Sequence, residues 1–225
     1  MTRSARSFLR ALMSWACVAA LSAPLANAVA QPVTHPNLNA QLLVAARQSD
    51  LAQVQRLLAQ GAAVSSRNRL GKTALLLACE KGNTDMAVAL LDAGADVNLQ
   101  SLERVTPLMA ASYSGNAELV RRLLAAGARA DPVDRMNKPA ILYAAGQGHA
   151  AALDALLASG IDVNATYEHG LTLLMWAAGQ GHADAVRLLL ARGAKADMRD
   201  DRGLTAIDIA RAAGQGAVAQ SAGLR

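Results

Sequence analysis

The block Thr73-Ala74-Leu75 returns as Thr106-Pro107-Leu108, Pro139-Ala140-Ile141, Thr172-Leu173-Leu174 and Thr205-Ala206-Ile207, each 33 residues after the last. A fixed period of this size means stacked modules, because each module leaves an apolar face that only its neighbour covers. Two glycine columns keep the same register: Gly82, Gly115, Gly148, Gly181 and Gly214, and Gly61, Gly94, Gly127, Gly160 and Gly193. A single closed catalytic core has no use for such regularity.

Within one period the residues predict a turn, a short helix, a tight glycine turn, a longer helix and a glycine stop. Gly71-Lys72 closes the turn, Thr73 stands as the cap of a helix, and Leu75, Leu77 and Ala78 form its apolar side until Gly82. From about Thr84 a second helix carries Met86, Ala87, Leu90 and Leu91 at helical spacing, and Gly94 supplies the left-handed residue just past its end. The Leu-Leu pair returns as Leu57-Leu58, Leu123-Leu124, Leu156-Leu157 and Leu189-Leu190.

These columns, with "GADVN" at Gly94 to Asn98 and "GIDVN" at Gly160 to Asn164, closely resemble the ankyrin repeat over about residues 37 to 216. The resemblance implies an all-α solenoid of stacked helix-turn-helix units with hairpin-like fingers and a concave binding surface, and it implies no chemistry. Four full central repeats lie between two degraded capping repeats, with bounds at about 38–67, 68–100, 101–133, 134–166, 167–199 and 200–219. A fraying tail is expected over 220–225. In the first repeat Ala40, Ser49 and Asp50 replace the usual Thr, Gly and Asn or His, and in the last Ala222-Gly223 stand where Leu-Leu belongs. The family's Thr-Pro-Leu-His is closest at Thr106 to Met109, but its histidine is replaced by Leu76, Met109, Leu142, Met175 and Asp208, so apolar packing is expected there. Pro139 in place of the capping Thr is expected to weaken its helix start by roughly 1 kcal/mol.

Residues 1–30 stand apart from the repeats. Arg3, Arg6 and Arg10 precede a mostly apolar run from Ala11 to Ala26, followed by Ala26-Asn27-Ala28 and Ala28-Val29-Ala30, two overlapping small-x-small cleavage signals. This pattern predicts a secretory signal peptide, a short linker at 31–37, and a periplasmic or secreted product. Ser14, Ser22 and Pro24 interrupt the apolar run and argue against a retained anchor, and Trp15 argues against lipid attachment at Cys17. Removing the leader takes three of the 22 basic residues and leaves 19 against 17 acidic ones, a balance too mild to point to nucleic acid. The expected product is a monomer with no membrane segment and no cofactor.

Chemistry has little foothold. His149 and His182 share a column one period apart, but neighbouring helices lie about 8 to 10 Å apart, too far for both to reach one metal. They are expected to start their second helices, in the column of Asn83 and Asn116, and to satisfy backbone groups there. The glycines of Gly146 to Ala150 and of Gly179-Gln180-Gly181 mark helix turns and follow no strand, so they make no nucleotide fingerprint. Cys79 is assigned to a column held elsewhere by Ala46, Ala111, Ala145, Ala178 and Ala210 or its neighbours, and is expected to be a buried thiol, a redox role being the alternative.

What packing does not fix is the surface of the fingers and of the first helix in each pair. These positions are Arg69, Leu70, Lys72, Glu80 and Lys81, then Leu102, Glu103, Val105 and Tyr113. Next come Arg135, Met136, Lys138 and Gln147, and finally Glu168, His169, Leu171 and Gln180. Tyr, Met, Leu and Arg are residue types found at interface centres. Tyr143 and Trp176, one period apart, are expected to stack between repeats with their polar edges outward, a partner-facing aromatic patch being the alternative. The expected function is recognition of another protein through the concave face and finger tips. The alternatives are an accessory or protective factor for one exported enzyme, such as an oxidative-stress enzyme, and a hydrolytic or metal-dependent enzyme.

Overall fold

In the computed structural model, residues 36–224 are described, and the expected leader lies outside them. They form six helix pairs: α1 (Pro36–Gln48) with α2 (Leu51–Ala59), α3 (Ala74–Glu80) with α4 (Thr84–Asp92), and α5 (Pro107–Ser114) with α6 (Ala117–Ala125). There follow α7 (Ala140–Gly146) with α8 (Ala150–Leu157), α9 (Leu173–Gly179) with α10 (Ala183–Ala191), and α11 (Ala206–Ala212) with α12 (Gly216–Ser221). The odd-numbered helices pack one against the next in an inner row, and the even-numbered helices do the same in an outer row. Among the described residues there is no strand. Isolated bridges between Arg67 and Thr73, Val133 and Pro139, and Thr166 and Thr172 close the bases of fingers. This is the all-α solenoid that the resemblance implied.

The core is built by nearest neighbours. Leu75, Leu108, Ile141 and Leu174 occupy one inner column and Leu57, Leu90, Leu123, Leu156 and Leu189 one outer column, all buried. Ala74, Ala78, Ala111, Ala144 and Ala177 are buried among them, small enough to let successive inner helices close up. One period after Cys79 stands Ser112, not an alanine, and its hydroxyl donates to the Leu108 carbonyl at 2.7 Å. Cys79 itself is fully buried, and burial first, then the charge of Glu80, pushes its thiol far above the ordinary range. The reactive thiolate is therefore disfavoured, which argues against a redox role.

Helix starts follow the predicted chemistry where Thr and Asn are present. Thr73, Thr106, Thr172 and Thr205 accept from the backbone N–H three residues on, at 3.2, 3.1, 3.3 and 3.4 Å. Asn83 and Asn116 cap α4 and α6 in the same way, each at 3.0 Å. Pro139 makes no side-chain cap, and α7 starts without one.

Three expectations need correction. Apolar packing does not simply replace the missing histidines: Met109 and Met175 accept from the Thr106 and Thr172 N–H through Sδ, each at 3.4 Å, and Asp208 accepts from the Thr205 N–H at 3.1 Å. The first pair is less degraded than its letters, since Asp50 caps α2 at 2.9 Å and Ser49 adopts the left-handed φ of 62° that glycine supplies elsewhere. At the other end the chain does not trail off at Gln220. Helix α12 runs to Ser221, and Leu224, three residues beyond it, is buried where the Leu-Leu pair was missing.

Successive modules are also sewn together by loop amides. Asn98 donates to the Gly127 carbonyl at 3.1 Å and accepts from the Arg129 N–H at 2.9 Å, and Asn164 repeats this with Gly193 and Lys195 at 3.2 and 2.8 Å. Because each layer depends on its neighbours, a cavity in one layer is felt by the whole stack. Leu123→Ala, in the middle of the outer row, is expected to cost roughly 2 to 5 kcal/mol, measured by urea denaturation; a loss below 1 kcal/mol would mean that the outer row is not the core.

Candidate interaction surface

Four fingers are each shaped by one side chain at the base, and the finger of the fifth pair has Tyr167 in that column. Asn68 Oδ1 accepts from the Leu70 and Lys72 N–H at 2.9 and 3.0 Å, Asp134 Oδ1 from Met136 and Lys138 at 2.8 and 2.9 Å, and Asp200 Oδ1 from Arg202 and Leu204 at 2.9 Å each. Ser101 makes the shorter version, accepting from Val105 at 3.3 Å. A side-chain oxygen that takes two nearby N–H groups fixes a turn without a strand. Sequence reasoning missed this column, although Asn68, Ser101, Asp134 and Asp200 stand at multiples of the period. Backbone bonds then join finger to finger: Leu102 N–H to Leu70 at 2.9 Å, Arg135 N–H to Glu103 at 3.3 Å, and Asp201 N–H to His169 at 3.1 Å.

The sequence-derived positions fall on these fingers and on the solvent side of the inner row. Arg69, Leu70, Lys81, Leu102, Glu103, Tyr113, Arg135, Met136, Gln147, Glu168, His169 and Gln180 are exposed, while Lys72 and Lys138 are half-buried. Leu70, Leu102, Tyr113 and Met136 are 56 to 60% exposed, a large apolar offering for side chains that contribute nothing to the core.

Between the fingers and the inner row the side chains interlock. Lys72 pairs with Glu80 at 2.6 Å. Two periods later the partner position is Gly146, which has no side chain, and Lys138 instead places its ammonium over the Trp176 ring, 5.1 Å from the centroid. Tyr143 and Trp176 do not stack on each other as expected. Tyr143 meets Tyr113 edge to face, with centroids 6.0 Å apart and planes at 82°, and its hydroxyl donates to Asp134 Oδ2. Burial, then that hydrogen bond and the Asp134 charge, raise the Tyr143 hydroxyl well above the usual phenol range. Trp176 lines an open cleft of about 270 Å³ with Leu171, Met175, Gly179, Gln180, Arg202, Ile209 and Ala213. Its Nε1 has no hydrogen-bond partner among the described residues, so packing and Lys138 alone set the ring. Gly179 keeps the cleft open, since a Cβ there would lie 3.0 Å from Ile209 Cγ2.

The paired histidines join neighbouring modules and do not cap their own helices. His149 Nε2–H donates to the Tyr113 carbonyl at 3.0 Å, and His182 Nε2–H to the Gly146 carbonyl at 2.9 Å, each at the end of an inner helix in the preceding pair. Gly115 and Gly148 make this reach feasible. Each has positive φ, and a Cβ would fall 2.5 Å from His149 Nδ1 or 2.6 Å from His182 Cγ, too close for the imidazole to remain. Among the described residues no group of three His, Cys, Asp or Glu is placed to hold a metal, and no helix is long and apolar enough to cross a membrane.

Two family models match this chain. One, described as ankyrin repeats (3 copies), matches residues 42–134 and again 90–167, and the other, described as ankyrin repeats (many copies), matches residues 156–210. The chain belongs to the ankyrin-repeat family. Among curated proteins, no match was found. Ankyrin repeats generally mediate protein–protein interaction and are typically scaffolds without enzymatic activity.

Two predictions come from the finger bases of this ankyrin-repeat chain. Asp134→Ala removes the acceptor for two N–H groups and for the Tyr143 hydroxyl and is expected to destabilise by roughly 2 to 3 kcal/mol. Tyr143→Phe should cost less than half of that, both being read from thermal unfolding. Asp200 supplies the pH dependence. Burial opposes its ionisation, but the hydrogen bonds from Leu204 and Arg202 outweigh that and lower its pKa. A lowered folded pKa gives stability that is present above the unfolded value of about 3.9 and is lost as pH falls through the folded value. Asp200→Asn should therefore narrow the difference in Tm between pH 7 and pH 3, and an unchanged difference would contradict the assignment.

Proposed function

We propose that the protein is exported and binds another protein, without catalysis, through its concave inner-row face and finger tips. One observation carries this reading: three large apolar side chains, Leu70, Leu102 and Met136, are held outward on fingers whose backbones are fixed by side-chain oxygens and finger-to-finger hydrogen bonds, and Tyr113 stands exposed beside them on α5. Side chains that the core does not need, on a frame already ordered, lose little freedom on binding. The charged positions Arg69, Lys72, Lys81, Glu103, Arg135, Lys138 and Glu168 surround them and would set the choice of partner. Residues Gln147, His169 and Gln180 complete the contact set.

Export rests on the leader-like composition of residues 1–30 and places the product in the periplasm or outside the cell as a monomer. Within this reading the protein would serve one exported enzyme as an accessory or protective factor if that enzyme co-purifies in stoichiometric amount, and would act as a general adaptor if several proteins do.

The test separates surface from core. The full chain, expressed in its own cells and recovered by affinity capture, is expected to retain a protein partner from the compartment to which it is delivered. Tyr113→Ala with Arg135→Ala should leave stability within about 1 kcal/mol, since surface changes rarely exceed that, while lowering capture at least fivefold. A double mutant that unfolds but still binds would show that the columns are misplaced.

A further inference from the structure

Resting on that reading, we infer the chemistry of the partner: an extended acidic segment with one large apolar side chain, its acidic end over α3 and α5 and its apolar residue in the cleft between α9 and α11. The first ground is where charge is left unbalanced. On the outer row most cations are neutralised locally, Arg121 and Arg122 by Glu118, Arg187 by Asp184 and Arg192 by Asp154, while Arg56 of α2 donates to the Gln53 amide oxygen at 2.8 Å. On the inner face of the second to fourth pairs, Arg69, Lys81 and Arg104 have no carboxylate in ion-pair contact among the described residues, and the Lys138 ammonium faces an indole ring. Arg104 is held at a finger tip with φ of 61°, a conformation most side chains avoid. The acids of this stretch are already engaged: Glu80 by Lys72, Glu103 by Arg135, and Asp134 by its own turn and Tyr143.

The second ground is the change along the row. In the fifth pair the finger presents Glu168 and His169, and in the sixth Arg202 is paired with Asp200 and Arg211 with Asp208, so the positive excess ends where the cleft begins. The cleft holds about 270 Å³, several times the roughly 30 Å³ share of one water, which is room for one large side chain against Trp176 and Ile209. From the cleft back to Arg69 and Lys81 is about three layers of 8 to 10 Å, a span that an extended segment covers with roughly eight residues at about 3.3 Å each. Charge and shape thus fix both the composition of the segment and its direction.

The probe is a labelled synthetic peptide of about ten residues, with glutamates at one end and a single phenylalanine at the other. It is titrated against the full chain by fluorescence anisotropy, with emission of Trp176 recorded in parallel and Trp176→Phe as the control for Trp15. The expected result is saturable binding that weakens at least tenfold when the glutamates become glutamines. It should also weaken at least tenfold in the triple variant Arg69→Glu, Lys81→Glu, Arg104→Asn, in which Asn tolerates the left-handed backbone. Trp176 emission should shift only when the phenylalanine is present. Equal binding of the glutamine peptide, an unmoved Trp176 emission, or equal competition by an oligonucleotide would overturn the inference. Capture of a natural partner that the triple variant leaves intact would overturn it too while the protein-binding reading stands. Peptide binding by a chain that captures no protein would sink that wider reading and leave the acidic preference in place. Circular dichroism of the triple variant confirms that lost binding is not lost folding.

Discussion

Everything in this chain depends on one helix pair lying against the next. No pair has a core of its own. Leu75 of α3 is buried because α1 and α5 lie on either side, and Leu108 of α5 because α3 and α7 do. Stability in such an array is a sum of weak modules and strong interfaces. The interface therefore dictates the small residues of the inner row and the leucines of the outer row. It also leaves side chains of the fingers and of the solvent side of the inner helices exposed among the described residues.

That constraint explains how much could be read from residues alone. The helices, their Thr and Asn caps and the two leucine columns follow from a period that the interfaces enforce, so they were legible at once. The exposed positions followed by subtraction. What was not legible is how one backbone requirement is met by unlike side chains. The start of an inner helix needs an acceptor for the N–H of its capping residue, and Met109, Met175 and Asp208 provide it with a thioether or a carboxylate. The Thr205 to Asp208 spacing was a readable signal for the last of these; the methionine bonds leave no such trace in the letters.

The histidine column shows the same limit in another form. Asn116 caps α6 and also donates to the Gly82 carbonyl at 2.9 Å, so one amide serves its own helix and the preceding pair. Imidazole at His149 and His182 keeps only the second task, reaching back to the Tyr113 and Gly146 carbonyls, and α8 and α10 begin without a side-chain cap. The position is thus defined less by the helix it precedes than by the carbonyl it must satisfy one module earlier. Spacing reveals that a column exists, but which of two adjacent modules the side chain serves is a question of geometry.

The same logic separates the two ends of the inner face. At the column that holds Glu80 and Tyr113, the fourth and fifth pairs have Gly146 and Gly179, and the loss of a side chain there has two effects at once. Lys138, deprived of a carboxylate partner, moves over Trp176, and the space in front of Ile209 stays open. A helical glycine costs up to about 1 kcal/mol relative to alanine, and packing in this row would accept an alanine at Gly146, where the nearest atom to an added Cβ, on Trp176, is 4.0 Å away. The stack does not require the glycine at Gly146, and its missing side chain leaves the half-buried Trp176 ring to Lys138.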